Sequence, residues 1–504
     1  MSGGRTTFGV PSTESTTETP SATTRTDAET TTTVRGGDPG VDPVGDLAVP
    51  SAVDRSLLAG VPEDRRLVFS FDGDLPDDTT LTAGFLRPPD LEDPARVWMA
   101  LRNDADRQRT FGFGPTPPFS GYFGQSPTGF GPEPMLVPDD DRGYARPGIV
   151  PDDPRGEGCW TAESVFVAPD VRTKLALGPG EAVVGEYALV FGHQAEACFP
   201  EHQVYAFRDP VMDFRLLLGT WDPAVAVPGE SRFDRSVPSL PGVAGTAWYH
   251  TAADAQVYLE PRGETLSLPR DSTDFLLKNF STDRIRIDEA GWRLYKYRDG
   301  RWFRVLPWET DRNYVHLPPG GESRVLLSMD NRIGYNRQGI VRDIGGGLYA
   351  ARYGSIPLLA DFDSGPLRVD GDDPGEPAEE EPRQAQAALV AVEGDPVGVE
   401  PDVPSDRIER DGGTVRADYG DGGESVFLAR RASSEEGEPV RVIAEQANQT
   451  VALRNTLGFF EEDVQRVRLE ASETLVRRPA SRFGDGSDPF LFSYDDETFL
   501  GRVE

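Results

Sequence analysis

One order of short motifs occurs twice in the middle of this chain, and that repetition constrains the fold more than any other feature. In the first copy VWMALRN closes on Asn103, LALGPGEAVVGEYALV spans 175–190, and HQVYAF follows at 202–207. In the second copy DFLLKN closes on Asn279, VHLPPGGESRVLLSMDN spans 315–331, and GGLYAARY follows at 346–353. Each copy thus has an apolar strand ending in Asn, a strand opened by Leu-x-Pro-Gly with an acidic residue, and a last strand carrying Tyr. Pro-Gly suits a type II turn, where Pro presets φ and Gly takes φ > 0. Val183, Tyr187 and Leu189, and Val325, Leu327 and Met329, run or alternate as strands of a sandwich do. An Asn at a strand end bonds its own turn through its side chain. The unit is too long for a solenoid and reads as two tandem β-sandwich domains.

The two copies differ between Asn and Gly, Asn103 to Gly180 against Asn279 to Gly320, because the first holds the Gly/Pro/Phe stretch FGFGPTPPFSGYFGQSPTGFGPEP (111–134). Phe111, Phe113, Phe119, Tyr122 and Phe123 are the candidate binding residues, with Phe130 further on. They form an aromatic binding loop in one reading and pin a long loop onto a sheet edge in the other. The second copy carries GWRLYKYRDGRWFRVLPW (291–308), where Asp-Gly between apolar strands signals a hairpin. Arg293, Lys296, Arg298, Arg301 and Arg304 make a basic strip there. It either meets an anionic partner or answers neighbouring carboxylates.

This order of motifs resembles the immunoglobulin-like modules of haloarchaeal surface lipoproteins. More loosely, it is similar to the bacterial intracellular proteinase-inhibitor domain. The matching residues are Asn103, Pro179, Gly180, Glu181 and Tyr205, then Asn279, Pro319, Gly320, Glu322 and Tyr349, over roughly residues 62–370. Gly321 stands before the second Glu, and the first copy has its long insertion; both depart from the inhibitor pattern.

Charge narrows the function classes. With 51 Lys plus Arg against 85 Asp plus Glu, the formal charge is −34, and Lys174, Lys278 and Lys296 are the only lysines. Such a surface repels nucleic acid. Self-repulsion of this size is screened at molar salt, where the Debye length is about 3 Å. Many carboxylates, few lysines and heavy Arg use read as a protein of a salt-loving archaeon. Seventeen of the first 35 residues are Ser or Thr. A segment this polar cannot offset its ordering entropy and reads as a disordered stalk. It resembles the stretch after the lipid-modified cysteine of lipoproteins, which implies an N-terminal lipid anchor and a cell-surface location; a cytoplasmic protein with a disordered head is the alternative. No run of apolar residues is long enough for a transmembrane helix.

The expected organisation is therefore mainly β: a Ser/Thr-rich stalk (1–48), a β-sandwich with the insertion (49–235), a second β-sandwich (236–365), an acidic linker (366–405) and a small α+β domain (406–504). In the last, Ile443, Ala447, Thr450, Leu453, Leu457 and Phe460 share one helical face, VQRVRLEA (464–471) reads as a strand, and FLFSYDDETFLGRV (490–503) as a hairpin turning at Asp495-Asp496.

Little catalytic chemistry is visible. Cys159 and Cys198 either form a disulfide, which implies an oxidising compartment, or stay as buried thiols. His193 and His202 flank Cys198, so a zinc site with both cysteines can be drawn, but it lacks paired metal-ligand spacing. No nucleophile elbow, zincin helix, phosphate loop or dinucleotide pattern occurs, and no cofactor is expected. The expected function is non-catalytic binding or structural support, with an unidentified protein or cell-envelope partner. A protease inhibitor acting through an exposed loop is the alternative, and a metal-dependent enzyme comes third.

Overall fold

The computed structural model describes residues 49–60, 64–112, 122–125, 133–138, 149–155, 159–162, 174–192, 195, 198–199, 202–208, 214–288, 291–306, 313–332, 340–357, 365–370, 383–433, 437–484, 486 and 488–504. The stalk reading, for 1–48, lies outside them. The protein is mainly β: two immunoglobulin-like β-sandwiches and a smaller α+β domain.

In the first sandwich, strands Ser56–Ala59, Arg65–Gly73, Phe214–Trp221 and His202–Arg208 form one sheet. Strands Pro134–Pro138, Ala182–Phe191, Ala95–Asn103, Thr79–Arg87 and Leu367–Asp370 form the other. Tyr122–Gln125, from the aromatic insertion, pairs with both and joins the sheets along one edge. Alternation explains the core: Val97, Met99 and Leu101 point inward with Phe69, Phe85, Tyr205 and Phe207, while Trp98 and Ala100 enter a separate outer cluster with Val53. Phe69 and Phe85 stack at 4.4 Å.

In the second sandwich, Gly245–Trp248, Arg383–Glu393, Gly347–Pro357, Arg293–Arg298 and Arg301–Leu306 form one sheet. Val257–Pro261, Arg270–Asn279, Gly321–Asp330 and Ile340–Val341 form the facing one. The stretch read as an acidic linker is thus corrected. Leu367–Asp370 pairs with Thr79–Arg87 at the edge of the first sandwich, and Arg383–Glu393 is a central strand of the second. The reason is burial: Ala385, Ala387, Ala388, Leu389 and Val390 are all buried. A strand covered on both faces shows no alternation to read.

The two copies build the same device at the strand end. The Asn103 amide donates to the carbonyls of Arg107 (2.9 Å), Leu177 (3.0 Å) and Gly178 (3.0 Å), and its Oδ1 accepts from the Ala105 N–H (3.2 Å). Asn279 donates to the Asp283 (2.7 Å) and Leu317 (3.0 Å) carbonyls and accepts from the Ser281 N–H (3.1 Å). Gly180 and Gly320 donate their N–H to the Asn103 and Asn279 carbonyls, and both sit in the left-handed region at φ +73° and +70°. Each Asn is fully buried. Asn103→Ala or Asn279→Ala leaves several buried backbone groups unpaired and costs about 2 kcal/mol or more. Urea unfolding at fixed molar salt checks this; a loss below about 0.5 kcal/mol in both variants refutes the role.

Asp330, at the end of its strand, meets Arg332 in a two-pronged pair of 2.9 and 3.0 Å. That hydrogen-bonded guanidinium, with Arg270 farther off, holds its carboxyl down at about 2. A depressed carboxyl contributes stability that is present above the ordinary carboxylate pKa and is lost as pH falls toward 2. Side-chain NMR titration is expected to give a midpoint near 2 for Asp330, and a return toward the ordinary value in Arg332→Ala.

The α+β domain has a seven-stranded sheet ordered Ile408–Asp411, Thr414–Asp418, Arg466–Ala471, Ser425–Arg431, Glu497–Val503, Phe490–Tyr494 and Val440–Arg441. The hairpin turns at Asp495 and Asp496 (φ 48° and 63°). The single helical face resolves into two short helices, α1 (Ala444–Asn448) and α2 (Val451–Leu457), interrupted at Thr450, whose hydroxyl bonds the Gln446 carbonyl at 3.1 Å. Ile443 enters the core of the second sandwich, while Ala447, Leu453 and Leu457 serve the α+β core. A further helix, α3 (Glu473–Phe483), contains Pro479.

Candidate functional site

The sandwiches meet along the outer face of strand His202–Arg208. Alternation sends Tyr205 and Phe207 into the first core and leaves His202, Val204, Ala206 and Arg208 facing the second sandwich. What they meet is the second copy of the repeated turn, Leu317-Pro318-Pro319-Gly320. His202 Nε2 lies 2.5 Å from the Gly320 carbonyl, an acceptor, so this nitrogen carries the proton. The His202 ring sits edge-on to Phe280 at 5.2 Å, and Trp221 lies 5.8 Å from the same ring. Gly219 is required there: a Cβ at this position would stand 2.2 Å from the Pro319 carbonyl oxygen. Arg55 bonds Asp283 at 2.5 Å, and the Arg284 guanidinium lies 3.7 Å over the Phe71 ring.

Beside these contacts a cleft of about 730 Å³ opens between the sandwiches. Gln125, His202, Gln203, Arg208 and Arg215 line one wall, with Asp72; His316, Pro318, Gly321 and Glu322 line the other. Arg215 and Asp72 pair at 3.3 Å and are both half-buried. The walls offer amides, guanidinium groups and an imidazole as hydrogen-bonding groups. Among the described residues that line the cleft there is no serine, threonine or cysteine. Among the described residues no group of three or more His, Cys, Asp or Glu is placed to hold a metal ion. The arrangement suits reversible, hydrogen-bonded capture of a polar ligand.

The structure distributes the sequence candidates differently. Cys159 and Cys198 form a disulfide, with Cα atoms 5.3 Å apart. Both sulfurs are therefore taken, and with them the zinc site drawn from these cysteines, His193 and His202. Phe111 follows the packing alternative and not the binding one: it is 8% exposed and packs within the first sandwich, where strand Arg109–Gly112 pairs with Lys174–Leu177. Tyr122 and Phe123 stand on the strand that joins the two sheets, opposite Leu136 and Met135. Phe113, Phe119, Phe130 and His193 lie outside the described residues. The basic strip divides: Lys296 is buried against Glu445, Arg298 pairs with Asp299 at 3.6 Å, and Arg293 and Arg304 lie on the outer sheet face. The cleft residues Arg208, His316 and Glu322 were not singled out as site residues from sequence. The repeated turn, and His202 drawn as a zinc ligand, were the signals that pointed to their neighbourhood.

No family model matches the sequence, and no curated protein matches it. Among solved structures, red sea bream transglutaminase is similar over 65% of this chain at 10% identity, with a TM-score of 0.11. The alignment takes in 31% of that protein, about a third of its length. A likeness this slight carries no argument about fold or activity.

Proposed function

We propose that this is a non-catalytic cell-surface binding protein of a salt-loving archaeon, presenting two immunoglobulin-like sandwiches and an α+β domain behind a Ser/Thr-rich segment. Its partner is a polar component of the cell envelope or a protein there. The observation that carries the reading is the cleft between the sandwiches, which mixes hydrogen-bonding and apolar side chains and is walled by the second copy of the repeated turn. The formal charge of −34 and the scarcity of lysine support the salt-loving assignment, and the Cys159–Cys198 bridge supports a place outside a reducing cytosol.

The test is co-sedimentation of the purified protein with envelope and with cytosolic fractions of a haloarchaeon at molar salt. Selective retention by the envelope, lost in Val204→Arg, is the expected result. Equal retention by both fractions, or retention unchanged in Val204→Arg, overturns the reading.

A further inference from the structure

Residues 222–244 carry the chain from Trp221, the end of the first sandwich, to Gly245, the start of the second. A linker between domains ordinarily stays exposed. This one is seated on the outer face of the second sandwich's larger sheet. Trp248 and Trp302 stand on opposite edge strands of that sheet, and over small Ala350 and Ala387 their rings stack at 5.5 Å. Tyr297, cross-strand from Trp302, lies 4.8 Å from its ring. Leu240 is buried in this aromatic cluster, and Phe233, Val237 and Val243 pack against it. The cluster shares no residue with the cleft between the sandwiches.

The linker is held as a peptide ligand is held. From Phe233 to Leu240 it is neither helix nor strand, and among the described residues none of its N–H groups there donates to a backbone carbonyl. Side chains of the second sandwich bind its main chain instead. The Trp302 indole N–H donates to the Pro238 carbonyl at 2.8 Å, and His250 Nε2 donates to the Arg235 carbonyl at 3.0 Å. The Thr246 hydroxyl accepts from the Leu240 N–H at 2.9 Å, and the Glu264 carboxylate from the Arg232 N–H at 2.6 Å. Val237 and Leu240, three residues apart, pack inward, while Pro238 and Ser239 between them are exposed. Three residues per turn is the period of polyproline II, and Pro238-Ser239-Leu240-Pro241 is a P-x-x-P sequence. Aromatic-lined grooves recognise such segments. A plain tether needs none of these contacts.

We propose that Trp248, Trp302 and Tyr297 form a recognition groove for proline-rich peptides of the P-x-x-P type, which the linker fills as a built-in competitor. The partner is an extended, proline-rich segment of another protein. Polyproline II is preformed, so such a ligand loses little entropy on docking. Covalent attachment gives the linker an effective concentration in the millimolar range, so a free peptide gains the groove once the linker is weakened.

The experiment is fluorescence anisotropy of the labelled peptide RFDRSVPSLPGV (residues 232–243), titrated at molar salt with full-length protein. Two linker variants are compared with wild type, and all are melted in parallel. Val237→Ser/Leu240→Ser removes both inward anchors; Pro238→Ala/Pro241→Ala leaves every buried side chain in place. Each variant is expected to bind the peptide saturably and at least about ten-fold more tightly than wild type. Adding Trp302→Phe to either should weaken binding by up to about ten-fold, through one lost hydrogen bond. A second peptide, with alanine everywhere except the Val-Pro-x-Leu-Pro-Gly core, should bind within about ten-fold of the first, and a version with both prolines replaced by alanine should bind more weakly than either. The proposal falls if neither linker variant binds, if wild type binds as tightly as they do, or if the proline-free peptide binds equally well. It falls too if the core peptide is not bound, which marks the groove as a fit to this linker alone.

Discussion

Lys296→Met is expected to destabilise the protein by about 3–5 kcal/mol, the usual effect of stripping one partner from a buried ion pair. Lys296 and Glu445 are 8% and 2% exposed. The ammonium donates to the Glu445 carboxylate and, at 3.0 Å, to the Gly346 carbonyl. The same carboxylate accepts from the Gly345 N–H at 3.3 Å and lies 3.2 Å from the Tyr349 hydroxyl, which donates to the Gly345 carbonyl at 2.7 Å. Burial and the adjacent Glu445 charge hold the Tyr349 hydroxyl well above its ordinary pKa. Helix α1 is thereby tied to strands Arg293–Arg298 and Gly347–Pro357. Removing the ammonium leaves a carboxylate in a dry pocket. The double variant Lys296→Met/Glu445→Leu should recover most of the loss, since a buried pair replaced by apolar groups is often neutral. Urea unfolding of the wild type, the single and the double variant decides it. A single variant within about 1 kcal/mol of wild type, or a double no better than the single, refutes the assignment.

Loss of the disulfide is the second large effect. Cys159 and Cys198 are 39 residues apart, and opening a loop of that length costs about 4 kcal/mol in the chain-entropy model. The bridge secures residues that border the first core. Cys159 is followed by Trp160, whose indole N–H bonds the Asp90 carbonyl at 2.8 Å, and Cys198 by Phe199, which lies edge-on to Phe191 at 4.8 Å. Cys159→Ser/Cys198→Ser should melt lower than wild type and ignore reductant, while wild type should fall to the variant's level when reduced. A reductant effect of equal size on both proteins would contradict this.

What the sequence made legible was local. The Asn–Pro-Gly device needs a few residues around Asn103 and Gly180, or Asn279 and Gly320, and each acts on its own backbone. The hairpins at Asp299-Gly300 and Asp495-Asp496 are read from turn residues that accept positive φ. What escaped depends on distant partners. Arg383–Glu393 pairs in parallel with Gly245–Trp248 across more than a hundred residues. Its alanine-rich run carries no period. Ile443, read on the same helical face, instead enters another domain's core. α3 was hidden by Pro479, a residue that ordinarily argues against a helix. The cleft and the groove under the linker arise from register and from sheet faces being covered, which short-range pattern does not encode.

The late position of two strands bears on how the protein is made. As the nascent chain leaves the ribosome, the second sandwich lacks its central strand until residue 393 has emerged. Until then Gly245–Trp248 and Gly347–Pro357 present unpaired edges to the cytosol or to a translocation channel. The first sandwich likewise waits for Leu367–Asp370 to cover its edge. Neither sandwich can be completed while the ribosome is still reading the region before them, so both close late and almost together. A ribosome stalled after Gly347–Pro357 has emerged but before Leu367–Asp370 has done so would hold two half-open sheets at once, the condition under which edge-to-edge aggregation competes best with folding.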